Sequence, residues 1–140
     1  MRRCLPVVLA LWPTVAPAQS FTDIYWELVA IDGKPTEART TLRINKDNVL
    51  AGAAPCNRWI IFVNEVKLPA LSLGPVTTTR MACDKMAEEQ AFFDALLPMT
   101  LVQPDGDQTL ILTGPEGRRM EFVRDGMKGK TACKSCYTGG

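Results

Sequence analysis

The sequence predicts a mainly β protein of the α+β class, in which an antiparallel meander forms a partly closed, barrel-like sheet with one packed amphipathic helix. Two observations predict this fold. Short segments rich in β-branched and aromatic residues recur along the chain, separated by Gly, Pro, Asn and Asp. One segment in the second half instead has its apolar residues at helical spacing, and strand-like segments resume after it.

Three strands are predicted in the first half from alternating apolar and polar residues. Residues 25–31 form the first strand, and the turn-forming residues 32–35 end it. Residues 41–45 and 49–52 form the next two, on either side of a polar turn at 46–48. Their short lengths and close spacing are typical of an antiparallel meander.

The most apolar segment of the first half is predicted to lie in the middle of the sheet. Residues 59–63 are apolar without interruption, which favours a strand that is central in the sheet or buried on both faces. Asn64-Glu65 is predicted to turn the chain into the following strand. Gly74-Pro75 is predicted to end that strand, because proline cannot donate to the ladder.

One helix of about 12 to 14 residues is predicted between Cys83 and Pro98. Asp84 is a suitable N-cap, and Glu88 and Glu89 lie where the helix dipole favours acidic side chains. These two glutamates are adjacent and therefore face different sides of the helix, so they cannot act as a catalytic carboxylate pair. The apolar face is predicted to pack on the sheet and consists of Met86, Phe92, Phe93, Leu96 and Leu97.

Three further strands are predicted after the helix, separated by Gly- and Pro-containing turns. Asp105-Gly106-Asp107 lacks the further oxygen ligands of a calcium loop, so we interpret it as a hairpin turn. The strands comprise residues 99–103, residues 110–112 and a last segment with Met120 and Phe122 on one face.

The first 18 residues are typical of a secretory signal peptide. Arg2 and Arg3 precede an apolar run, and Ala16-Pro17-Ala18 is a small-x-small cleavage site, so we expect cleavage before Gln19. The run is too short to span a bilayer. Cys4 precedes the run, whereas a lipid-anchored cysteine would follow it. The predicted division is a signal peptide (1–18), a folded domain (19–124) and a flexible basic tail (125–140), with a periplasmic or secreted location.

Charge and composition exclude several functions. Two of the 16 basic residues lie in the signal peptide, which leaves 14 against 15 acidic residues and no basic excess for nucleic acid. The chain has no histidine, which removes Ser-His-Asp and Cys-His systems and the commonest general base. We therefore expect a monomer without enzymatic activity, metal or cofactor, whose partner is an envelope protein or a small molecule.

Short motifs along the chain are formed by Trp26, Gly52, Cys56, Asn57, Arg58, Thr79, Arg80, Met81 and Cys83. Together these motifs resemble the META domain, the family of the bacterial heat-shock protein HslJ. The resemblance runs from about Tyr25 to Val123. Its most distinctive motifs lie just before the apolar strand at residues 59–63 and just before the helix. It implies an antiparallel β structure with one helix, an envelope or secreted location, and an association with stress or drug tolerance. It implies no enzymatic activity, cofactor or ligand.

Four cysteines remain after removal of the signal peptide, and in an exported protein an even number favours disulfides. Cys56 and Cys83 border ordered elements, so a bridge between them would contribute about 3 kcal/mol by closing the intervening loop. The alternative is two buried thiols. Cys133 and Cys136 form a C-x-x-C pair, for which a local disulfide, a redox role and a four-cysteine zinc site with Cys56 and Cys83 are the alternatives.

Three functional hypotheses follow from these features. The leading one is a non-enzymatic envelope protein that supports stress or drug tolerance by binding a partner or by protecting the envelope. The second is a thiol-redox accessory protein that acts through Cys133 and Cys136. The third is a lipocalin-like carrier that binds a small apolar molecule inside the sheet. Arg58 and Arg80 are candidates for ligand contact.

Overall fold

A computed structural model describes residues 20–47, 49–67 and 69–126 of the chain. The predicted signal peptide and nearly all of the predicted tail therefore lie outside the described residues. The elements in chain order are β1 (Tyr25–Ile31), β2 (Lys34–Pro35), β3 (Thr41–Ile44), β4 (Val49–Ala53), β5 (Arg58–Lys67), β6 (Ala70–Thr78), α1 (Met86–Leu96), β7 (Leu101–Asp105), β8 (Thr109–Thr113) and β9 (Arg119–Arg124).

The strands form one antiparallel sheet that closes on itself. Its order is β2-β1-β3-β4-β5-β6-β7-β8-β9, and β1 also pairs with β9, which completes a ring. The predicted fold class, a mainly antiparallel β sheet with one packed helix, is confirmed. The shortest ladder within the closed ring lies between β6 and β7, where Ala70 and Leu101 are the paired residues among those that the structure describes. No helix within the described ranges reaches the length and apolarity that a membrane span requires.

The interior of the ring is filled by large apolar side chains. Trp26, Trp59 and Phe122 are buried there, as expected for strands with one apolar face. The helix adds Phe92, whose ring lies 5.6 Å from that of Trp59, centre to centre. Because aromatic side chains occupy the middle of the ring, the interior position that a lipocalin-like ligand would need is taken by the core itself.

The central strand β5 differs from the prediction in two ways. It continues through Asn64-Glu65 to Lys67, so the turn predicted at these residues is wrong. The ladder with β6 shifts register between Ile61 and Val63 and again between Val63 and Glu65, so bulges bend the strand where a turn was predicted. The strand is central in the sheet, as one predicted alternative required. The other alternative, burial on both faces, is wrong, because only one face meets the core and the Phe62 side chain is 64% exposed.

Strand β6 passes through Gly74-Pro75, so the predicted strand end at these residues is wrong. After Ala70, the edge of β6 that faces β7 is not paired with any strand among the described residues. Pro75 lies in this part of β6, and a proline at an unpaired edge removes no ladder hydrogen bond. Gly74 is buried, and a Cβ atom there would lie 2.7 Å from the carbonyl oxygen of Phe62. The glycine therefore permits close strand approach instead of ending the strand.

The helix begins later than predicted and buries only part of the predicted apolar face, namely Phe92, Phe93 and Leu96. Lys85 occupies the N-cap without a side-chain cap, so the prediction for Asp84 is wrong. The Lys85 N–H donates instead to the sulfur of Cys83 at 3.4 Å, which places this end of the helix in the loop that carries Cys83. Met86 and Leu97 were predicted on the buried face but are exposed. The buried residues of α1 are Glu89, Phe92, Phe93, Ala95 and Leu96.

The strands after the helix agree with the prediction in number and order. The first of them starts at Leu101 instead of residue 99, because Met99 is buried in the core at the end of the helix. Strands β8 and β9 include the predicted segments, and Met120 and Phe122 are both fully buried on the inner face of β9.

Candidate functional site

A disulfide between Cys56 and Cys83 joins the loop before β5 to the loop before α1. The two Cα atoms lie 5.7 Å apart, and the bridge spans 27 positions of sequence. The predicted pairing is therefore present, and the alternative of two buried thiols is wrong. The bridge also uses both sulfurs that a four-cysteine zinc site would need from this region. Cys133 and Cys136 lie outside the described residues.

The carboxylate of Glu89 lies buried beneath this disulfide and is 5% exposed. One oxygen, Oε2, accepts hydrogen bonds from the backbone N–H groups of Cys56 and Asn57, both at 2.8 Å. The other, Oε1, accepts from Nδ2 of Asn57 at 2.6 Å. Three donors on one loop thus satisfy a charge that would be costly to bury alone.

Asn57 connects this carboxylate to the segment before the helix. Its Oδ1 accepts from the Thr79 hydroxyl at 2.9 Å and from the backbone N–H of Met81 at 2.6 Å. Its Nδ2 also donates to the carbonyl oxygen of Met81 at 3.0 Å. The amide therefore uses both of its donors and both acceptor positions inside the protein. We call Cys56, Asn57, Thr79, Cys83 and Glu89 the motif cluster.

Two other motif residues have structural roles in the sheet. The buried indole of Trp26 donates from Nε1 to the carbonyl oxygen of Phe21 at 3.1 Å, so its polar group is satisfied at the end of the ring. A Cβ atom on Gly52 would lie 1.8 Å from the carbonyl oxygen of Thr41, which is backbone and cannot move aside. Only glycine permits β4 to approach β3 so closely.

Glu89 is the member of the motif cluster that sequence reasoning missed. Its acidity and its place in the first turn suggested only a helix-dipole interaction. A stronger signal was present, because residues 89, 92, 93 and 96 follow the i, i+3, i+4, i+7 spacing of one helix face. An acidic residue on the apolar face of a helix indicates a buried carboxylate with partners.

A second region of interest lies on the outer face of the sheet. The ladders place five side chains in one row across β1, β3, β4, β5 and β6: Tyr25, Arg43, Ala51, Ile60 and Thr77. Together with Arg58 from the adjacent row, these residues line a depression of about 610 Å³, which we call the outer trough. Its volume lies within the range of small-molecule sites.

The two arginines of the outer trough differ in their partners. Arg43 donates to Asp23 at 3.1 Å, and its guanidinium lies 5.4 Å from the centre of the Tyr25 ring. The pKa of Arg43 is raised above its ordinary value, because Tyr25 first and Asp23 second stabilise the charged form by hydrogen bonding. None of the described side chains hydrogen-bonds or pairs with the exposed Arg58 guanidinium.

The remaining candidates of the sequence do not join either region through their side chains. Arg80 and Met81 are exposed, and Met81 contributes only its backbone groups to the motif cluster. Among the described residues, no group of three Cys, Asp or Glu side chains is placed to hold a metal ion. Asp105 ends β7 and Gly106 has a positive φ of 73°, as a hairpin turn requires.

The fold and the motif cluster define a class of small β proteins: an antiparallel ring whose single helix is fastened to the sheet by a disulfide and a buried carboxylate. The family model for the META domain matches residues 19–126. The chain therefore belongs to the META domain family, as the motif resemblance predicted. No curated protein matches the chain significantly.

Solved structures with the same fold share little sequence with the chain. An NMR structure of a protein from Burkholderia xenovorans is 23% identical, with a TM-score of 0.59, over 84% of this chain and 99% of that one. A crystal structure of a DUF4847 family protein from Bacteroides vulgatus is 13% identical, with a TM-score of 0.58, over 74% and 93% of the two chains. At these identities the likeness concerns the fold alone.

Proposed function

We propose that this META domain protein is exported and supports tolerance of stress or drugs by binding a partner or ligand, without catalysing a reaction. The observation that carries the proposal is the Cys56–Cys83 disulfide within the motif cluster. A structural disulfide favours an oxidising compartment, in agreement with the predicted signal peptide. The bridge and the carboxylate beside it hold the family motif as part of the scaffold.

The hydrogen bonds of the motif cluster support binding over catalysis. A catalytic acid or base must have its reactive atom free to reach a substrate. The oxygens of Glu89 accept three donors from within the protein, and the amide of Asn57 uses all of its positions there. The absence of histidine from the chain also removes the commonest general base.

The two alternative functions, a lipocalin-like carrier and a thiol-redox protein, differ in how far the structure bears on them. The lipocalin-like carrier has no support, since Trp26, Trp59 and Phe122 occupy the interior it would use. The thiol-redox function remains a prediction for Cys133 and Cys136, which the structure does not describe. Replacing both cysteines by serine tests it, because a redox role requires the tolerance phenotype to disappear in this variant.

A complemented deletion strain tests the proposed function. We expect loss of the gene to reduce survival after heat or antibiotic exposure, and the full chain to restore it. A matched variant that lacks residues 2–18 should fold but remain in the cytoplasm, and should not restore survival. Mass spectrometry of the exported protein should find Gln19 at its N-terminus. A deletion strain that survives as well as its parent, or full rescue by the variant without residues 2–18, would contradict the proposal.

A further inference from the structure

The outer trough is concave because the residues on its middle strand are small. Ala51 on β4 lies directly between Arg43 on β3 and Ile60 on β5. Two residues further along β4, on the same face, Ala53 lies opposite Arg58. Long side chains on both neighbouring strands therefore form walls above a floor that carries only methyl groups.

The apolar surface of the outer trough continues along β5. Ile60 and Phe62 project from the same face of the strand because they are two positions apart. Phe62 is 64% exposed and lies opposite Val49, which is half-buried on β4. A large exposed aromatic side chain beside an apolar depression is typical of a contact surface. The direction from Arg58 through Ile60 to Phe62 thus leads from a charged end to an apolar end.

The charge of the outer trough is of one sign. The residues that line it, all within the described part of the chain, include two arginines and no carboxylate. Asp23 offsets the charge of Arg43 from outside the lining, whereas no carboxylate among the lining residues lies beside Arg58. A guanidinium beside an apolar floor favours an anion whose remaining part is apolar.

One buried donor at the outer trough has no acceptor. The Nε atom of Arg43, a lining residue, is buried without a hydrogen-bond partner among the described residues. An acceptor atom on a bound ligand would satisfy this donor.

We propose that the outer trough binds a single-chain amphiphilic carboxylate, with its head group at Arg58 and its alkyl chain along Ile60 toward Phe62. This inference rests on the proposed function, in which the protein works by binding. A carboxylate matches the planar donor fork of one arginine, and its single charge suits one uncompensated guanidinium. The alkyl chain covers the apolar floor, which excludes water from the ion pair and strengthens it.

Isothermal titration of the protein comprising residues 19–140 with decanoate, below its micellar concentration, tests the inference. We expect saturable one-site binding, with affinity at least about tenfold higher than for hexanoate, because four methylene groups are lost from the contact. Decanol, which has no charge, should bind at least about tenfold more weakly than decanoate. Equal affinity for decanol and decanoate, or no saturable binding of decanoate, would overturn the inference.

Matched variants locate the binding site. Arg58→Gln should weaken decanoate binding by about tenfold or more, whereas Arg80→Gln, another exposed motif arginine outside the trough, should change it less than about twofold. Ala51→Leu keeps both arginines and fills the floor, so it should also weaken binding. Circular dichroism spectra and melting temperatures show whether each variant is folded. Equal effects of Arg58→Gln and Arg80→Gln would overturn the assignment of the head-group site.

A membrane surface is the competing source of the same chemistry. Sedimentation with equimolar phosphatidylcholine–phosphatidylglycerol vesicles should recover little protein, and stronger association with vesicles than with free decanoate would overturn the inference. The result is separable from that of the deletion strain. If decanoate does not bind but the deletion strain is sensitive, the outer trough is wrongly assigned and the proposed function stands. If decanoate binds through Arg58 and the deletion strain is not sensitive, only the tolerance function fails.

Discussion

The motif cluster and the outer trough lie next to each other in the chain but differ in whether their polar groups have partners within the protein. Asn57 and Arg58 are consecutive residues. The amide of Asn57 has protein partners at every position, whereas none of the described side chains pairs with the guanidinium of Arg58. The boundary between the two regions is therefore one peptide bond, at the start of β5.

This difference separates residues that hold the fold from residues that are available to a ligand. Polar groups that satisfy one another stabilise the native state and have nothing left to offer a partner. Donors without acceptors contribute little to the fold, and they gain most when a ligand supplies the acceptor. Substitutions in the motif cluster should therefore change stability, and substitutions in the outer trough should change binding.

The largest expected effect is that of Asn57→Asp. The substitution places a second carboxylate against Glu89, where the Nδ2 atom now lies 2.6 Å from Oε1, and it removes both donors of the amide. Two facing buried carboxylates repel until one of them is protonated. We expect a loss of about 4 kcal/mol in the free energy of unfolding at pH 7.

The loss should depend on pH with a definite sign. The folded variant holds a proton that the unfolded chain releases, so its stability relative to the wild type should fall as pH rises from about 4 to 7. Urea denaturation of both proteins across this range measures it. Asn64→Asp introduces the same charge at an exposed position of β5 and is the control. A deficit for Asn57→Asp that does not change with pH would contradict the arrangement of the two groups.

Glu89→Ala should have the next largest effect. It leaves the backbone N–H groups of Cys56 and Asn57 without their acceptor, and we expect a loss of about 3 kcal/mol in the free energy of unfolding. Glu88→Ala is the matched control, because its exposed carboxylate contacts only Lys85, at 3.0 Å, among the described residues. Surface pairs of this kind contribute little. Equal losses for the two variants in urea denaturation would show that the buried carboxylate does not hold the loop.

The sequence predicted the elements of the fold better than their ends. Alternation located the first strand correctly, because Trp26 and Leu28 each need the core on one side. It could not locate the end of β5, because bulges accommodate Asn64-Glu65 within the strand and bulges depend on the neighbouring strand. The burial of β5 on one face only is also a property of the closed ring, which covers its inner surface and leaves Phe62 outside.

The candidate site was only partly predictable for a similar reason. The Cys56–Cys83 pairing could be proposed, because both cysteines border ordered segments in a chain with a predicted export signal. The hydrogen bonds of Asn57 join residues more than 20 positions apart, so no local pattern indicates them. The outer trough was not predictable, since it depends on which residues of five strands share a row.

Substitutions in the outer trough should have the smallest effect on stability. They test most directly whether the trough and the motif cluster differ as argued above. Arg58→Gln removes an exposed charge without a partner among the described side chains, and Phe62→Ser removes an aromatic ring that is 64% exposed. Each should change the free energy of unfolding by less than about 0.5 kcal/mol, with an unchanged dependence on urea concentration. A loss above about 1 kcal/mol for Arg58→Gln would mean that its guanidinium has a structural partner. The division between fold and ligand surface would then lie elsewhere on β5, because Arg58 would belong with Asn57 among the residues that hold the scaffold.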